Sequence, residues 1–98
     1  MKIEFKKFGT TLTSRQAGKE AFAAFQPSLS EIKTGEKVEV DFAGVITFSP
    51  SWGDEFLTAL SKVYGDSLVL LNTGANPSIK ATLEILEQIS KTPFKRIN

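Results

Sequence analysis

The chain contains neither cysteine nor histidine. Without thiols there is no disulfide staple, no thiolate nucleophile and no thiolate metal site. Without imidazole the commonest general base and every Ser-His or Cys-His arrangement fall away. Tryptophan and tyrosine occur once each, and aromatic residues do not alternate with basic ones, so stacking on single-stranded nucleic acid has no support. An excess of one charge is missing too. Twelve basic and eleven acidic residues leave a net +1, too little to recruit nucleic acid or an anionic bilayer. No apolar run approaches the roughly 20 residues of a membrane span, and no signal-peptide core opens the sequence. The expectation is a cytoplasmic domain, not an enzyme, with no cofactor, no metal, no nucleic acid and no membrane.

The residues that are present fit one domain over positions 1–98. At 98 residues, with 41% apolar and 23% charged, a single core is possible but marginal, and every apolar face must be used. Residues 2–8 (KIEFKKF) alternate with period two and read as an edge strand, its lysines discouraging further pairing; Gly9 ends it. Thr13 has N-cap spacing to Gln16, opening a helix to about Phe25 with Ala17, Ala21, Ala24 and Phe25 on one face and Phe22 at its margin. The small alanines imply close packing on a sheet. Pro27 is expected to stop this helix, and residues 28–36 to form a connector. Residues 37–42 alternate again, which makes a βαβ unit if the two strands pair in parallel, and residues 45–48 add a short extended piece.

Ser51 reads as the N-cap of a second helix over residues 52–64, with Asp54 at N3 and Gly65 as its stop. Residues 67–71 (SLVLL) are apolar on both faces, as in a central, doubly covered strand. Asn76-Pro77 caps a third helix. Its buried stripe is Ile79, Leu83, Leu86 and Ile89, with Lys80, Glu84, Glu87 and Gln88 toward water. Residues 94–97 form an edge strand or simply dock; both readings stand. The fold class is α/β: one small sheet of about four mostly parallel strands, with two to three helices packed mainly on one face.

The stretch from Val40 to Glu55 (VDFAGVITFSPSWGDE) carries the most information. It leads through Ser49-Pro50-Ser51 into a helix start, where backbone N–H groups carry partial positive charge and an added phosphate is well tolerated. Ser51 is therefore either a plain cap or a phosphate acceptor. Asp54 and Glu55 weaken an anion site by their charge. As neighbours on a helix they point about 100 degrees apart and converge poorly on one atom, which argues against a metal pair. Arg15, at a helix start where its charge is mildly unfavourable, is either solvated or a contact residue.

Leu12-Thr13-Ser14-Arg15, Asp41-Phe42, Ser49-Pro50-Ser51-Trp52-Gly53-Asp54-Glu55 and Asn72 together resemble the STAS-like family described as a domain of unknown function. The likeness runs from about residue 10 to residue 90. The broader STAS class includes anti-sigma factor antagonists and sulfate-transporter tails, and its turn carries Asp-Ser-Ser-Gly with the first serine phosphorylated by a partner kinase. Here Pro50 stands at that acceptor position and Trp52 replaces the glycine, so only Ser51, or Ser49 next, is left to serve. The resemblance implies a cytoplasmic module that binds a protein partner such as an anti-sigma factor or kinase-like ATPase. The contact residues expected are Ser49, Ser51, Trp52, Asp54 and Glu55, with Ser14 and Arg15 adjacent if the first two helices lie side by side, and Ser51 as the phosphorylation site. The competing expectation is a small-ligand or nucleotide site at the second helix's N-terminus, which a packed Trp52 would oppose.

Overall fold

The apolar positions of four short strands line up in one row after another, and that row organises the molecule. The computed structural model describes residues 1–74 and 76–97. In chain order the elements are β1 (Lys2–Glu4), β2 (Thr11–Leu12), α1 (Arg15–Leu29), β3 (Val38–Asp41), β4 (Thr47–Phe48) and α2 (Pro50–Gly53). A π-helical turn (Asp54–Thr58), α3 (Ala59–Tyr64), β5 (Leu68–Leu71), α4 (Pro77–Ser90) and β6 (Lys95–Ile97) follow. The main sheet has four strands in the order β1-β3-β5-β6, every neighbouring pair parallel. Each crossover steps to the next strand in the same direction, so right-handed connections put all the helices on one face. The architecture is a two-layer α/β domain.

Register aligns Ile3 with Val40 and Val40 with Leu70. These residues, with Val38 and Leu68, form one side of the core; Trp52, Phe56, Leu57, Leu60, Ile79, Leu83 and Leu86 form the other. The opposite sheet face carries Lys2, Glu39, Val69 and Lys95 in one row. That row stands outside the core cluster. The double covering expected for β5 is therefore absent: Val69 is buried in the middle of a polar row, not under a helix. Residues 94–97 resolve as the edge strand, pairing with β5.

Several local expectations shift. The opening strand stops at Glu4, because a 3-10 turn over Phe5–Phe8 swings Phe5 into the core. Helix α1 is capped by Ser14, not Thr13: the Ala17 N–H donates to Ser14 Oγ at 3.0 Å. Pro27 does not end the helix, which runs on to Leu29. Proline so near the C-terminus removes a single backbone bond, and Leu29 gains packing against the core. Ala17 and Ala24 are exposed; the packed stripe is Gly18, Ala21, Phe22, Phe25 and Leu29, which meets α2 and the π turn and packs against the common core. In α4, Ile89 is 71% exposed, while Thr82 takes a buried place by donating its hydroxyl to the Phe48 carbonyl. Glu87 turns inward too, accepting from the Phe94 N–H and pairing with Arg96.

Every phenylalanine except Phe94 takes part in ring pairs among the described residues. Trp52 and Phe56, one helical turn apart, stack at 5.2 Å with planes 5° apart. Edge-on contacts from Phe5 and Phe22 close around Phe56. Such pairs add about 0.5–1.5 kcal/mol each beyond area burial, so the α1–α2 junction rests on a stiff aromatic base.

Candidate functional site

Two short strands bring two helix starts together. β2 and β4 pair in parallel with Leu12 opposite Phe48, and each strand leads directly into a capping serine. Ser14 caps α1, and Ser49 caps α2, with Pro50 at N1. The cap is thus Ser49, two positions earlier than the expected Ser51, because proline is preorganised for the first helical position and its missing N–H costs nothing there. Ser49 also ties the two helix starts together: its Oγ donates to the Thr13 carbonyl at 2.6 Å and accepts from the Trp52 N–H at 3.4 Å. Gly18 lets the helices touch, since a Cβ there would lie 2.8 Å from the Trp52 carbonyl oxygen.

At that junction Arg15 Nη1 lies 3.0 Å from Asp54 Oδ2 and 2.6 Å from Glu55 Oε2. The two adjacent carboxylates do converge on one atom, contrary to the ordinary helical spacing. They open the π turn, whose wider coil reduces the angle between successive side chains. The hydrogen bonds that the guanidinium donates to Asp54 and then Glu55 hold its pKa above the ordinary value, so it stays charged. The cluster is open: the side chains of Arg15, Asp54 and Glu55 are 55%, 41% and 26% exposed.

Of the expected contact residues, Ser14, Arg15, Ser49, Asp54 and Glu55 come together here. Ser51 sits beside them in the first turn of α2, half-buried, with no hydrogen bond to its hydroxyl among the described residues. Trp52 does not belong to the surface. It is 1% exposed and serves as the floor under the junction, because its large ring is worth more against Phe5 and Phe56 than in water. Ser49→Ala should cost about 1 kcal/mol for the lost cap, whereas Ser51→Ala should change stability by less than about 0.5 kcal/mol; thermal melts of the two variants separate them.

A second polar cluster went unrecognised as a unit. Asp41, buried at the end of β3, accepts from the Ala43 N–H at 2.9 Å and from Asn72 Nδ2 at 2.7 Å, with Lys2 Nζ 3.4 Å from its other oxygen. Asn72 holds a left-handed backbone, φ 58, a conformation asparagine tolerates better than most residues. Its signal in the sequence is an acid among apolar residues at one strand end and an asparagine at the next. Burial alone would raise the Asp41 carboxyl, but the hydrogen bonds from Asn72 and Ala43 and the charge of Lys2 outweigh it and hold the pKa below the ordinary 3.8. A carboxyl depressed by folding adds stability above its unfolded value and loses it as pH falls through the folded one. Stability should therefore decline as pH drops below 3.8. Asp41→Asn keeps the oxygen that Asn72 and Ala43 use, so its urea unfolding curves should change less between neutral pH and about pH 3 than those of the wild type.

No group of three or more acidic side chains among the described residues is placed to hold a metal ion. No helix among them is long and apolar enough to cross a membrane. No family model matches the chain, and no curated protein or solved structure matches it. The motif pieces noted in the sequence fall into two places, Ser14-Arg15 with Ser49–Glu55 at the helix junction and Asp41 with Asn72 at the strand ends.

Proposed function

We propose that this domain is a non-enzymatic regulatory module that docks a protein partner on the junction of α1 and α2. The observation that carries the reading is the exposed Arg15-Asp54-Glu55 cluster on a rigid aromatic base. Exposed ion pairs contribute only about 0–1 kcal/mol to folding, so three charges held in one place are more than the fold requires. They offer both signs of charge on a preorganised surface, which suits specific recognition. The resemblance to the STAS-like family supports the same reading and makes an anti-sigma factor or kinase-like ATPase of the cytoplasm the partner class.

Ser51 is the acceptor for a phosphoryl switch in this reading. Ser49 is committed to its cap and to Thr13, and phosphorylating it would break both contacts. Phosphate on Ser51 would place up to two negative charges beside Asp54 and Glu55 and so repel a partner that reads those acids. The small-ligand alternative loses its main requirement, because the buried Trp52 fills the space beneath the turn.

The test is affinity capture from the native cytosol with wild type, Asp54→Ala/Glu55→Ala and Lys19→Ala/Glu20→Ala as baits. A protein held by the wild type and the Lys19/Glu20 control but lost by the acid variant supports the proposal. Equal capture by all three removes the junction from consideration. Intact-mass measurement after incubation with the captured fraction and ATP reads the switch, and an unmodified Ser51 rejects that part.

A further inference from the structure

Remote from the helix junction, a cavity of about 500 Å³ opens where the N-terminal ends of β5 and β6 meet the last turn of α3 and the end of α4. That lies within the roughly 300–1,000 Å³ typical of small-molecule sites. None of the residues at the helix junction lines it. The core residue Leu68 and Phe94, packed against the core, form its apolar floor, and Pro93 and Thr58 also line it. The wall from α4 to β6 is fixed in place: the Phe94 N–H donates to Glu87 Oε2 at 2.7 Å, and Glu87 also pairs with Arg96.

The polar groups around the cavity divide into two kinds. Three of the four hydroxyls already have local partners, Ser61 donating to the Thr58 carbonyl at 2.8 Å and Ser90 and Thr92 bonding each other's carbonyls, which leaves the Thr58 hydroxyl without one among the described residues. The charges are uncommitted. Lys62 and Lys95 form no ion pair with any described carboxylate, and Lys95 Nζ donates only to the Asp66 carbonyl oxygen, at 3.1 Å. The Asp66 carboxylate offsets one of the two lysines, leaving a net positive rim above an apolar floor. We propose that this cavity binds a small carboxylate with an apolar chain or ring, its body against Leu68 and Phe94 and its carboxylate at Lys62 and Lys95. An apolar cation would meet the wrong charge, and a strongly polar ligand would find only the Thr58 hydroxyl unengaged.

The probe is octanoate, with 1-octanol and octylammonium as matched controls, followed by amide NMR shifts and calorimetry on the intact chain. Octanoate should bind saturably and shift the amides of Gly65–Leu68 and Phe94–Lys95. Octanol should bind about tenfold more weakly, the usual size of one charge-assisted contact, and octylammonium should not bind. In Lys62→Gln/Lys95→Gln, both of whose positions are exposed, octanoate should fall to the octanol level with the rest of the spectrum unchanged. Ser61→Phe, which fills the cavity, should abolish binding of all three; if that variant does not fold, the lysine variant decides alone. Absence of saturable shifts, shifts scattered over the surface, or octanoate binding untouched by the lysine changes would each overturn the proposal.

Discussion

Replacing Phe56 with alanine should destabilise the domain by about 3–5 kcal/mol, the usual cost of emptying an aromatic site in a close-packed core. Phe56 is fully buried and touches the rings of Phe5, Phe8, Phe22, Phe25 and Trp52. Its removal therefore unties β1's turn, α1 and the middle helix at once. A domain of this size has only about 5–15 kcal/mol in hand, so the variant should be partly unfolded near 37 °C and melt at least about 12 °C lower. Phe56→Leu keeps most of the volume and loses the ring geometry, and should cost less, about 1–2 kcal/mol. If Phe56→Ala melts with the wild type, the aromatic base is not what holds the two helices.

Gly18→Leu should have an effect of similar size, about 3 kcal/mol or more. Even the first carbon of a side chain would lie 2.8 Å from the Trp52 carbonyl oxygen and 3.0 Å from its Cα. Both belong to helix backbone, which cannot step aside as a rotamer can. Gly18→Ala poses the sharper question. Alanine gains about 1 kcal/mol of helix propensity over glycine, while the overlap costs about 1–3 kcal/mol, so the net should still be destabilising. Spreading the helices would also draw Arg15 away from Asp54 and Glu55, and the variant should lose partner binding together with stability. Urea midpoints for the two variants measure both effects, and a stabilised Gly18→Ala would show that the helices are not in close contact there.

The strands at Lys2–Glu4, Val38–Asp41 and Leu68–Leu71 were legible because alternation in the first two and an apolar run in the third report burial directly; their order in the sheet was not. Asn76-Pro77 was legible as a cap for the same reason that Ser49-Pro50 should have been: proline at N1 points back to the residue before it. Pro27 misled because a proline in a final helical turn removes little, and Leu29 still had a core to reach. The buried stripe of α4 was extended one turn too far to Ile89, since periodicity does not show where a helix leaves the sheet. The meeting of Asp54 and Glu55 at Arg15 depends on a π turn, and no hydrophobic period marks one. The cavity was invisible for a different reason: residues 58–68 and 90–95 meet there only through the order of the strands.

A surface kept for recognition and a clamp kept for folding respond oppositely to one change, Asp54→Ala/Glu55→Ala. The decisive measurement titrates the captured partner into wild type and this variant by calorimetry, with a thermal melt of each protein alongside. The account predicts at least about a tenfold loss of affinity with stability altered by no more than about 1 kcal/mol. Undiminished affinity, or a variant that unfolds, would contradict it.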